Sequence, residues 1–168
     1  MVIEEAFATS QEGAIGFRGV FYDTLGSPIW SETYLLDDDK VYWTSFQPRL
    51  NFMPGIVFNP PVQLSPISNK PGDHKTVTVQ EIWDDSLKTA NPVTVEYQVE
   101  EIEDIPLQTG QYVNCIRMRM SFIYLGDSQT TYFAGANTLW FSRGKGIVRF
   151  VMPSGHGTLK SEGLLTTR

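Results

Sequence analysis

Thr94-Val95-Glu96-Tyr97-Gln98-Val99-Glu100 alternates apolar and polar side chains without a break. In an extended chain successive side chains point to opposite sides, so Val95, Tyr97 and Val99 share a dry face and Thr94, Glu96, Gln98 and Glu100 a wet one. The pattern predicts a one-sided antiparallel strand. Residues 112–124 repeat the period, with Ile116, Met118, Met120 and Phe122 on one face and Cys115, Arg117, Arg119 and Ser121 on the other. Leu125-Gly126-Asp127-Ser128 then reads as a tight turn, because Gly and Asp tolerate positive φ, and residues 129–134 are expected to return as a partner strand.

The same reading extends in both directions. Residues 30–36 and 41–46, rich in aromatic and β-branched side chains, flank the acidic turn Asp37-Asp38-Asp39-Lys40 and predict a hairpin. Residues 138–142 and 147–152 flank Arg143-Gly144-Lys145-Gly146 and predict another, with a positive φ at either glycine. Shorter strands are expected at 16–22, 56–58 and 76–83, which brings the total to about nine or ten. Asn59-Pro60-Pro61 and Ser65-Pro66 read as a stiff, extended connection, since proline fixes φ and biases its predecessor away from helix. The best helical stretch is Glu4 to Gln11, a turn or two. The expected fold is all-β with little helix: a single curved antiparallel meander sheet forming a half-barrel or open barrel, which buries its apolar face and limits its edges. Residues 1–12 form a loose or helical N-terminal segment in this reading, 13–152 the β domain, and 153–168 a tail or edge strand. A sandwich of seven to nine strands is the alternative, with a less local strand order.

Composition sets bounds on function. A chain of 168 residues fits one domain. Lys plus Arg is 13 and Asp plus Glu 19, a net charge of −6, which argues against a binder held by nucleic-acid phosphates. Hydrophobic residues at 41% and aromatics at 12% place the chain among folded proteins. No apolar run reaches the ~18 residues of a membrane helix, and the first residues lack the basic and apolar blocks of a signal peptide. One cysteine, Cys115, excludes an internal disulfide framework, and with only His74 and His156 beside it a closed zinc site is not expected. No metal or other cofactor is expected.

The possible sites reduce to one class. Arg143-Gly144-Lys145-Gly146 precedes a strand, whereas a phosphate-binding loop opens a helix, so it is a turn whose Arg143 and Lys145 form a basic rim. Asp37-Asp38-Asp39 lacks the spacing of a calcium loop and reads as a solvated turn, as do Asp84-Asp85 and the acidic run from Glu100 to Asp104 at strand ends. Cys115 lies inside a strand rather than at a helix N-terminus, which predicts a structural thiol, and Ser154-Gly155-His156-Gly157 lacks a nucleophile elbow. No catalytic residue is expected. What remains is an apolar face made from Trp83, Tyr97, Met118, Met120 and Trp140, with Arg143 and Lys145 at its mouth.

Residues 60–150 also carry a family pattern. Pro60-Pro61 leads to the turn Pro71-Gly72-Asp73, a strand ending in Trp83, a Val-rich strand over 93–99 and an acidic connection over 103–110. Asn114-Cys115-Ile116-Arg117-Met118 follows, and then Thr138-Leu139-Trp140-Phe141-Ser142-Arg143-Gly144-Lys145-Gly146-Ile147-Val148-Arg149. This last stretch resembles the aromatic-pair, Gly-x-Gly hairpin of bacterial cell-envelope domains with a lipoprotein-carrier-like half-barrel. The resemblance implies an envelope or secreted protein, periplasmic or outer-membrane associated once a leader is removed. It implies capture of an apolar, lipid-like ligand or a hydrophobic partner; a packed structural or assembly protein with envelope partners is the alternative. The chain departs from an envelope lipoprotein in showing neither a leader nor an N-terminal lipid-modified cysteine.

Overall fold

The computed structural model describes residues 2–8, 14–22, 25–38, 40–48, 54–83, 89–106, 111–124, 135–143, 145–154 and 159–164. Eleven strands follow one another: β1 (Val2–Ala8), β2 (Ile15–Tyr22), β3 (Pro28–Asp37), β4 (Lys40–Pro48), β5 (Ile56–Gln63), β6 (His74–Trp83), β7 (Ala90–Pro106), β8 (Tyr112–Tyr124), β9 (Gly135–Ser142), β10 (Gly146–Ser154) and β11 (Leu159–Leu164). Their order in the sheet is their order in the chain. The fold class is the one the alternation predicts, all-β and built as a single antiparallel meander. Among the described residues no helix is long and apolar enough to cross a membrane.

Within the meander the chain packs as two compact units, one made of Met1–Leu64 with Val79–Pro92 and the other of Ser65–Thr78 with Val93–Arg168. In the first unit β3 and β4 form the expected hairpin, closed by the Asp37–Lys40 pair with Asp38 at φ 52°. Its buried face runs across four strands, from Tyr34 and Trp43 to Ile56, Phe58, Val62, Val79 and Trp83. Trp43 lies 4.7 Å from Phe58 and 6.5 Å from Phe46, ring centre to ring centre.

The second unit buries Val93, Val95, Tyr97 and Val99 of β7 against the same face as Met118, Met120 and Phe122 of β8, as the alternation predicts. The turn Lys70-Pro71-Gly72-Asp73 is closed by the Asp73 amide donating to the Lys70 carbonyl at 3.2 Å, with Gly72 at φ 91°. Proline at the second place and a positive φ at the third are the requirements of a type II turn. The turn is tied to β7 by the Gly72 amide on the Val99 carbonyl (2.8 Å) and the Val99 amide on the Asp73 carbonyl (2.9 Å).

Four expectations are corrected. Val2–Ala8 is a strand paired with β2 rather than a helical turn, since its Val-Ile and Phe residues gain ladder bonds there. β5 continues through the prolines to Gln63, with Asn59–Pro60 cis, so this stretch is strand and not only connection. β7 runs to Pro106, absorbing the acidic residues expected to lie in a loop, because each of Glu101 to Ile105 finds a partner on β8. Among the described residues the strands number eleven, where about nine or ten are expected. The tail forms an edge strand, β11 on β10. The expected strand over 129–134, with Asp84-Asp85 and His156, lies outside the described residues.

The β9–β10 turn is closed by the Lys145 amide on the Ser142 carbonyl at 3.1 Å and places its positive φ at Gly146, 78°, where a Cβ would meet open space. Gly146→Ala should therefore lose only the left-handed backbone preference, about 1 kcal/mol, and Gly146→Asn less. Urea denaturation of both variants checks this.

Candidate functional site

In the second unit, register sorts the expected site residues. Tyr97 pairs with Met120, and Val99 with Met118 and onward to Leu139, so Tyr97 and both methionines share one face. Their exposure is 3% for Tyr97 and Met120 and 1% for Met118, which means that close-packed neighbours surround them. Asn137, opposite Met120 on this face, is buried with its Nδ2 donating to the Met120 carbonyl at 3.3 Å.

One row further along the same face the packing ends. Ile102 pairs with Ile116, Ile116 with Phe141, and Phe141 with Ile147, a ladder of four large apolar side chains across β7 to β10. Ile116, Phe141 and Ile147 are half-buried, and Ile102 is 42% exposed. Arg143 and Lys145 stand exposed in the turn that follows Phe141. The buried Met face thus comes to the surface as an apolar lip beside a basic turn.

Ile102 and Ile147 join this ladder because β7 and β10 each carry one extra residue. Val99 faces Met118 but Glu101 faces Arg117, so Glu100 is bulged; Ile147 faces Phe141 but Arg149 faces Trp140, so Val148 is bulged. Both bulges fall on one row, Glu101–Arg117–Trp140–Arg149. Each adds a side chain to the reverse face of that row, and beyond it burial changes sides. Ile105, Cys115, Trp140 and Val148 make a second cluster there, with Val113 and Val151 packed against it.

Trp140 therefore does not share a face with Met118 and Met120. It pairs with Arg117, on the side opposite to Leu139 and Met118. Its Nε1 donates to Glu103 Oε1 at 2.8 Å, and the Arg149 guanidinium lies 4.6 Å from its ring centre, a cation–π distance. Arg117 holds three carboxylates: Glu100 through Nε at 3.0 Å, Glu101 through Nη2 at 2.9 Å and Glu103 through Nη1 at 2.9 Å. The bulge is why Glu100 and Glu101 both reach it. At these part-exposed positions each pair contributes about 0–1 kcal/mol, so the network orients Trp140 more than it stabilises the sheet. Trp83 belongs to the first unit, buried opposite Ile56 with its Nε1 on Glu81 Oε2 at 3.2 Å. The expected constellation thus resolves into Tyr97, Met118 and Met120 on one face, Arg143 and Lys145 in the turn after it, Trp140 on the reverse face, and Trp83 in the other unit.

Cys115 is buried, and its thiol donates to the Val113 carbonyl at 3.4 Å. Burial, then the negative charges of Glu103 and Asp104, pushes the thiol up to about 11, so it stays protonated at neutral pH. At pH 8 the native thiol should react with iodoacetamide at least on the order of 100-fold more slowly than in denaturant, from thiolate fraction alone. Trp140→Phe should lower stability by about 1–2 kcal/mol through loss of the Glu103 hydrogen bond, as read by chemical denaturation.

No family model matches the chain. No curated protein matches it either. Among solved structures it is similar to a crystal structure, at 2.70 Å resolution, of a "putative lipoprotein from Parabacteroides distasonis ATCC 8503". The TM-score is 0.49 at 10% identity, over 95% of this chain and 81% of that one, a likeness that carries no functional information.

Proposed function

We propose that the chain is a non-enzymatic binding domain of the bacterial envelope or a secreted protein, which takes an apolar, lipid-like ligand or a hydrophobic partner at the lip of its second unit. The observation that carries the reading is the ladder Ile102–Ile116–Phe141–Ile147, continuous with the buried Tyr97, Met118 and Met120 face and bordered by Arg143 and Lys145. Apolar area removed from water supplies the affinity, at about 25 cal/mol per Å², and the two cations suit an anionic head group at the rim. The protonated, carbonyl-bonded Cys115 supports a role without thiol chemistry.

A second reading has its own support. The near-zero exposure of Met118, Met120 and Tyr97 favours a packed assembly domain, whose contacts are made with another protein chain along the lip rather than with a ligand drawn inside.

The experiment is purification from a bacterial host, extraction under denaturing conditions and mass spectrometry of the extract, beside uptake of an apolar fluorescent dye. Ile123 is the control, since it is 40% exposed and pairs with Thr94 on the opposite side. A stoichiometric lipid or dye, weakened about tenfold by Ile102→Asp and unaffected by Ile123→Asp, fits the lip. A clean extract and no dye uptake by folded, monodisperse protein would move the function to protein assembly. Equal loss in both variants would remove the lip from the account.

A further inference from the structure

The first unit buries two carboxylates that the binding lip does not use. Glu32 and Glu81 both sit at inward positions of their strands: register runs Glu32, Phe46, Ile56, Trp83 across β3 to β6, and Phe58 pairs with Glu81 in the adjoining row. The Trp43–Phe46–Phe58 aromatic cluster shares this face. Each acid is held by the aromatic residue two places further along its own strand. The Tyr34 hydroxyl donates to Glu32 Oε2, and Trp83 Nε1 to Glu81 Oε2 at 3.2 Å. Glu81 is fully buried and Glu32 nearly so.

Among the described residues of the neighbouring strands, no cation lies on Glu32's side of the sheet. On β2 the residue opposite is Gly19; Arg18 pairs with Thr33 and donates to Ser31 Oγ at 3.3 Å, on the other face. On β4 the residue opposite is Phe46, while Tyr42 and Lys40 pair with Leu35 and Asp37, also on the other face. β5 carries no titratable side chain, and β6 contributes a second acid, Glu81. Along β3 itself the near group is Tyr34, whose ionisation burial and the Glu32 charge push well above its ordinary range, so it remains a donor.

We infer that Glu32 is a protonation switch for the first unit: with its proton Glu32 is neutral and the inner face closed, and without it an added anion faces the aromatic cluster and β3 loosens. Burial raises the Glu32 carboxyl to about 7, against the pull of hydrogen bonding from Tyr34 and, less, from Trp30. In an opened unit the carboxyl returns to its ordinary 4.5. A carboxyl raised by folding favours the closed form fully below the lower value. That advantage is lost as pH climbs through the interval and levels off above 7.

Hydrogen exchange resolved to single strands tests the switch in the full chain. After correction for intrinsic rates, protection of β3 should fall roughly tenfold between pH 6 and pH 8, while β8 of the second unit stays level. Glu32→Gln keeps the shape and a hydrogen-bond acceptor for Tyr34, and should flatten the β3 profile. A pH-independent β3 in the unmodified protein overturns the inference, and this arm stands even if the variant fails to fold. A slope that survives Glu32→Gln but vanishes in Glu81→Gln overturns the assignment to Glu32.

Discussion

A two-stranded ladder keeps its faces only while both strands advance one residue at a time, and in the second unit that condition fails twice on the same row. Glu100 and Val148 are each one residue more than the partner strand has. Before the row, Val95, Tyr97, Val99, Met118, Met120 and Phe122 are dry; after it, Ile105 and Cys115 are dry on the reverse side, and Ile102 is left at the surface. The entry of Ile102 and Ile147 into the apolar lip and the reach of both Glu100 and Glu101 to Arg117 follow from these two extra residues.

Electrostatics in the two units follow opposite rules. In the second, acids lie within reach of solvent and gather on one shared cation, Arg117. In the first, Glu32 and Glu81 lie inside an aromatic face and rely on hydrogen bonds from Tyr34 and Trp83. Burial raises the Glu32 carboxyl toward its neutral form. The same residue type thus serves as a fixed charge in one unit and as a titrating group in the other.

Much of the meander was legible because its strands obey period two and its turns use Gly, Pro and Asp where φ demands them. β8 and both hairpins, at Asp38 and Gly146, are read directly from such positions. The site was less legible. A bulge leaves only a weak mark, a spacing of three between inward residues: Val99 to Ile102, and Ile147 to Phe150. Alternation along β9 separates Trp140 from Leu139 and Phe141, but which of the two faces carries Met118 is set by the β8–β9 register, which no residue type marks. The buried acids had a clearer signal, since Glu32 stands between Trp30 and Tyr34, and Glu81 between Val79 and Trp83, at inward parity. Charge at such a position conflicts with the binary pattern, and conflicts of that kind tend to mark function or strain.

The strictly sequential strand order has a consequence for how the molecule is made. After β1, every strand pairs with the one synthesised just before it, so strand pairing joins sequence neighbours throughout and needs no crossover. As the polypeptide leaves the ribosome the newest strand always has its partner waiting, and the open edge of the sheet moves forward with translation. The two ends of the strand order, β1 and β11, are each paired on one side, with β2 and with β10.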